Sequence, residues 1–122
     1  MKYTTLAHHR DFAQAVRGVA ADNHYLIAAI YLLAADRELW RRARSFVKKD
    51  RILFDSISIG NCTMDQYNLF SCAKDIYSGT QSITVSELVD GLIVTPKIFE
   101  VICNAMAVAR IGINALEPIG GI

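Results

Sequence analysis

Tyr25-Leu26-Ile27-Ala28-Ala29-Ile30-Tyr31-Leu32-Leu33-Ala34-Ala35 is the longest uninterrupted apolar run in this 122-residue chain. Its 11 residues fall short of the ~20 that a membrane-spanning helix needs. A secretory signal is also disfavoured, because 24 residues including Asp11, Asp22 and a His-His pair precede the run, an unusually long and polar leader. The remaining solution is a helix with no polar side. Such a helix must sit in the middle of a bundle, covered by other helices on every face.

The flanking sequence supplies those helices. Upstream, Leu6, Phe12, Ala13, Val16 and Val19 fall near helical spacing behind the potential caps Thr4 and Thr5, with Gly18 as terminator, which predicts a helix over about 5–18. Asp22 or Asn23 can cap the central run. Downstream, Asp36 sits at the next cap position before Leu39, Trp40, Ala43, Phe46 and Val47, predicting a helix over 37–48 with an apolar stripe and a cationic opposite face. Trp40 and Phe46 read as core. The stretch 51–60 admits a short strand or an irregular packed loop, since Ile57-Ser58-Ile59 alternates and Gly60-Asn61 signals a turn.

The remaining elements carry clear punctuation. Tyr67, Phe70, Ala73, Ile76 and Tyr77 recur at helical spacing after Thr63 or Asp65 and before Gly79. Thr84-Val85-Ser86-Glu87 is a capping box opening a short helix over 85–91. Thr95-Pro96 starts a second largely apolar helix over 96–111, closed by Gly112. The tail 113–122, with Pro118 and two glycines, reads as extended. The expected fold is therefore all-α, a compact single-domain bundle of five or six helices over residues 1–122, centred on 25–35 and 96–111.

Composition narrows function mainly by exclusion. Apolar residues make up 52% and charged residues 20%, enough to bury a real core. A net charge of +1 gives no global attraction to nucleic acid or membrane. This neutrality is a cancellation. Residues 1–51 hold ten basic and five acidic side chains, a local +5, and residues 52–122 hold three and seven, a local −4. Three cysteines, Cys62, Cys72 and Cys103, lack metal or redox spacing and suggest free thiols in the cytoplasm.

The densest charge lies in Trp40-Arg41-Arg42-Ala43-Arg44-Ser45-Phe46-Val47-Lys48-Lys49-Asp50-Arg51, six cations and one anion in 12 residues. On a helix, Arg37, Arg41, Arg44 and Lys48 would fall on one line. A row of guanidinium forks suits phosphates or an acidic protein surface; equally, cations near a helix C-terminus can simply be a solvated face. The candidate binding residues are thus Arg37, Arg41, Arg42, Arg44, Lys48, Lys49 and Arg51.

Other constellations carry less. His8, His9 and His24 offer too few ligands for a metal and lack H-E-x-x-H spacing, so structural histidines are expected. The pairs Asp36/Glu38 and Glu87/Asp90 have ready uses as caps and first-turn charges. Phosphate-binding glycine loops and the G-x-S-x-G elbow are missing. A helix-turn-helix over 84–110 would present Ile, Phe and Val where polar base-reading residues are needed. No catalytic residue, metal or cofactor is therefore assigned.

The segments Ile30-Tyr31-Leu32-Leu33-Ala34-Ala35-Asp36-Arg37-Glu38-Leu39-Trp40, Ala73-Lys74-Asp75-Ile76-Tyr77-Ser78-Gly79 and Val85-Ser86-Glu87-Leu88-Val89-Asp90, with the closing helix through Ala109-Arg110, resemble a family of small uncharacterised helical proteins of clostridia and related bacteria, their phages and conjugative elements. The resemblance covers about residues 25–111 and departs in the basic stretch 41–51 and the apolar tail. It implies a cytoplasmic, mobile-element setting and brings no catalytic residues. The expected function is a small non-enzymatic protein-binding module, such as a phage or mobile-element accessory factor or an inhibitor of a host defence protein. The alternatives are nucleic-acid binding through 41–51 and a homo-oligomer in which the basic half of one copy meets the acidic half of another.

Overall fold

A computed structural model describes residues 2–117. Its helices are α1 (Leu6–Ala15), α2 (His24–Leu33), α3 (Arg37–Ala43), α4 (Met64–Ser78), α5 (Val85–Leu88) and α6 (Pro96–Ile111). The fold is all-α, as the periodicities predict. α2 occupies the centre, packed against α4 and α6, with α1 also in contact with it. Every residue from Leu26 to Ala35 is buried. α6 supplies Ile98, Val101, Ile102, Ala105 and Val108 to the same core, and α4 supplies Leu69, Phe70, Cys72 and Ala73.

Local chemistry sets most of the boundaries. Thr5 caps α1 by accepting from the His8 N–H at 3.0 Å, and Asp36 caps α3 by accepting from the Leu39 N–H at 2.9 Å. Thr63/Gln66 and Thr84/Glu87 form reciprocal capping boxes at the starts of α4 and α5. α4 closes on Gly79 in the left-handed conformation, φ +72°. The Asp36 carboxylate also accepts from Gln66 Nε2 at 3.0 Å, so one side chain both starts α3 and ties it to α4.

The structure corrects several expected boundaries. α1 stops at Ala15, and Gly18 lies beyond it in a turn with φ +79°. The helix expected over 37–48 ends at Ala43; a 3₁₀ turn, Arg44–Phe46, follows, and Val47 is extended. From there the chain reverses, with an isolated antiparallel bridge between Val47 and Ile52. The Lys48 N–H donates to Arg51 O at 2.8 Å and the Leu53 N–H to Phe46 O at 2.9 Å. Reversal brings Ile52 and Phe54 into the core, which continuing the helix into Lys48-Lys49-Asp50-Arg51 could not do. The alternation Ile57-Ser58-Ile59 is real in burial, but no strand pairs with it among the described residues, so it packs as a loop. Trp40 and Phe46 are half-buried, lying against the core rather than within it. α5 is a single turn ending at Leu88 rather than 91. Residues 113–116 form a 3₁₀ turn instead of an extended tail; residues 118–122 lie outside the described residues.

Two close contacts hold the termini on α2. At Gly112, φ is +96°, and a Cβ there would stand 2.9 Å from the His24 ring, so only glycine permits both this backbone and this approach. At the other end, the Thr4 N–H donates to His8 Nδ1 at 2.9 Å, which leaves the proton on Nε2 to be donated to Tyr31 O at 2.8 Å. Thr4 Oγ1 donates to Ala35 O at 2.7 Å, and the Tyr31 hydroxyl donates to Lys2 O. Burial pushes the Tyr31 hydroxyl up to about 12.

His8 is 1% exposed, and burial lowers its pKa to about 4. Protonation would remove the Nδ1 acceptor, so folding favours the neutral ring. The folded pKa lies below the unfolded value of 6.5, so the stability that His8 lends is complete above pH 6.5 and lost as pH falls towards 4. At ~1.4 kcal/mol per pKa unit this reaches about 3 kcal/mol. Urea unfolding between pH 7 and pH 4 should show wild type losing stability more steeply than His8→Ala; parallel profiles would contradict this role of His8.

Candidate functional site

α1 and α3 lie beside a groove. Its larger hollow, about 430 Å³, is lined by Arg10 and Asp11 from α1 and by Arg37, Glu38, Trp40, Arg41 and Arg44 from α3 and the turn after it. A second hollow of about 310 Å³ shares Asp11, Trp40 and Arg44 and adds Gln14, Ala15 and Val47. The geometry follows from helical spacing: Arg37, Arg41 and Arg44, four and three residues apart, share one face. Asp36 fixes where that face begins.

Glu38 organises the near side of the groove. Arg41 grips it with two donors, Nε to Oε2 at 2.9 Å and Nη2 to Oε1, and Arg42 adds Nε to Oε1 at 3.3 Å. Hydrogen bonds from Arg41 first, then Arg42, hold the Glu38 carboxyl down to about 2, and the same bonds raise Arg41. On the α1 side Arg10 approaches Asp11 at 3.6 Å. Four guanidiniums and two carboxylates line the larger hollow, leaving it with a net charge of +2. Among the described residues, Arg37 and Arg44 have no acidic partner. These two are the cations whose full charge is available to a ligand.

The expected line of cations is thus only partly assembled. Arg37, Arg41 and Arg44 come together, but Lys48 falls after the helix has ended and turns its Nζ onto Ser45 O at 2.9 Å. Lys49 lies at the tip of the reversal, its aliphatic stem 3.2 Å from where a Gly18 Cβ would stand. Arg51 pairs with neighbouring Asp50 at 3.3 Å. Arg42, whose side chain is only 24% exposed, reaches past Glu38 to Ser58 O at 3.4 Å and Gly60 O at 2.8 Å; it pins a loop. Arg10 and Asp11 were not expected at the site. Only the tertiary placement of α1 across the hollow from α3 brings them there, and nothing in their local spacing announces it.

The other candidates settle into structural surroundings. His8 is the buried ring that bonds Thr4 and Tyr31, and His9 stacks on Tyr3 with ring centroids 4.4 Å apart. The three cysteines are free thiols, and burial pushes Cys72 up to about 12, leaving it protonated and inert as a nucleophile near neutrality. Among the described residues no three His, Cys, Asp or Glu side chains gather to hold a metal ion, and no helix is long and apolar enough to cross a membrane. Compared with protein-family models, curated proteins and solved structures, the chain has no match.

Arg42→Ala should release the 58–60 loop while leaving the bundle intact, since its carbonyl bonds are local. Hydrogen exchange is expected to accelerate over residues 57–62, with global stability changing by no more than about 1 kcal/mol. Unchanged exchange in that loop would show that Arg42 is not its anchor.

Proposed function

We propose that this chain is a small non-enzymatic binding module that recognises an acidic surface of a partner protein through the α1–α3 groove. The observation that carries this reading is the pair of unpartnered guanidiniums, Arg37 and Arg44, in a hollow that keeps a net positive charge after Glu38 and Asp11 are counted. Arginine forks suit paired carboxylate oxygens, and half-buried Trp40 adds an apolar side chain to the lining of both hollows. The buried titratable side chains His8 and Tyr31 are committed to backbone contacts outside the groove, which supports binding rather than catalysis.

Nucleic-acid binding is the second reading. It would draw on Arg41, Arg42, Arg44, Lys48, Lys49 and Arg51, but these are divided among the groove, the 58–60 loop and the reversal tip, which gives less continuous cationic surface than a phosphate backbone needs. The homo-oligomer reading draws on the same polarity, the groove of one copy meeting acidic residues of the next. The setting proposed, a cytoplasmic accessory factor of a phage or mobile element acting on a host protein, rests on the family resemblance.

Cross-linking of the tagged protein in cell extract, run beside Arg37→Glu/Arg44→Glu, tests the proposal. A specific partner captured by wild type and lost with the double variant is expected. Equal capture by both proteins would refute the groove, and tight binding to a short DNA duplex that weakens steeply with salt would favour the nucleic-acid reading.

A further inference from the structure

We infer that the surface over α5 and the start of α6 is a docking site for a cationic amphipathic helix of a partner protein. This inference is independent of the α1–α3 groove and shares no residue with it. Val89, 73% exposed, and Phe99, 39% exposed, line a hollow of about 300 Å³ with Leu88, Gly91, Val94 and Pro96, and Leu92, 92% exposed, follows Gly91 of that lining in sequence. A second hollow of about 150 Å³ opens on the other side of Leu88, between Ile76, Ile83, Ile102 and Met106. Apolar side chains scattered singly on a surface need no explanation, but a run of them joined by two hollows marks a binding site. Two adjoining hollows also match the way apolar residues at i, i+3, i+4 and i+7 of a bound helix enter a groove.

Charge identifies the occupant. Asp75 lines the second hollow, and Glu87 and Asp90 flank Leu88 and Val89 in sequence. Each is hydrogen-bonded by neutral donors: Asp75 by Thr80 Oγ1 and the N–H groups of Ser82 and Ile83, Glu87 by Thr84, and Asp90 by the Leu92 N–H. Among the described residues none of the three has a Lys or Arg partner, in contrast to Glu38, whose charge is cancelled twice. Lys97 is the one cation in the sequence 75–100. The surface is apolar, with Asp75 lining its second hollow and Glu87 and Asp90 beside its lining residues in sequence, the complement of a helix with an apolar stripe flanked by Lys and Arg.

A second copy of this chain fits less well. Its own cationic helix, α3, already turns Leu39 and Ala43 into the core, 1% and 0% exposed, and cannot offer an apolar stripe without unfolding. Two copies meeting through the α5–α6 surface would bring the same acids together.

Fluorescence anisotropy with the full chain and a labelled synthetic helix, Leu at i, i+3, i+4 and i+7 and Lys elsewhere, tests the inference. Binding is expected, weakened about tenfold or more by Val89→Ser/Leu92→Ser, whose side chains are too exposed to support the fold. Asp90→Asn, which keeps an oxygen to accept the Leu92 N–H but removes the charge, should weaken binding and flatten its salt dependence, and Arg37→Glu/Arg44→Glu should not weaken it. No binding, equal binding of a peptide with Ser in place of Leu, or insensitivity to Val89→Ser/Leu92→Ser would overturn the inference. So would concentration-dependent self-association abolished by Leu92→Ser, which would assign the surface to a second copy.

Discussion

Ten consecutive residues, Leu26 to Ala35, are removed from water, and each large aliphatic side chain among them gains roughly 1.5–3 kcal/mol by being there. That gain is available only if every side of α2 is covered, so the positions of α1, α4 and α6 are consequences of one helix having no polar face. The covering layers then satisfy what α2 leaves open. His8 donates to Tyr31 O, Thr4 to Ala35 O, and the Tyr31 hydroxyl sits between Lys2 O and Asn104, which donates to it at 3.2 Å. Unpaired polar groups at that depth would be costly, and among the described residues no buried side-chain polar atom lacks a partner.

Function is consequently pushed to the perimeter, where short elements carry charge on a rigid centre. Asp36 stands at the junction: it ends the α2 region, starts α3 and accepts from Gln66 of α4, so the line Arg37–Arg41–Arg44 is aimed by contacts that lead straight back to the core. The near-zero net charge of the chain hides two local fields. One is cationic, tempered by Glu38 and Asp11, between α1 and α3. The other is anionic, on an apolar surface over α5 and α6. Two separated fields of opposite sign underlie the proposed recognition by charge complementarity.

Much of the architecture was legible in the sequence because it rests on local rules. The run 25–35 has no polar side to misassign, Thr84/Glu87 announces a capping box, Thr63 is one of two start positions offered for α4, and Gly79 and Gly112 mark ends. What was not legible depends on tertiary demand. Helical spacing alone carries α3 through Lys48, yet the core needs Ile52 and Phe54, and the chain turns at Arg44 to deliver them. The cationic line therefore loses Lys48, and Arg42 is diverted to the carbonyls of Ser58 and Gly60. Arg10 and Asp11 join the groove only because the fold sets α1 across it from α3, and the exposure of Val85, Val89 and Leu92 reflects how α5 and the turn after it lie on the bundle, which no local spacing encodes.

Native-state hydrogen exchange resolved by residue tests the central claim most directly, since a helix covered on every side can expose its amides only when the molecule unfolds. The amides of Ile30 to Leu33 should exchange last, with an opening free energy equal to that of global unfolding measured by denaturant. Exchange of these amides through a cheaper, partial opening, ahead of those in α1, would contradict the account.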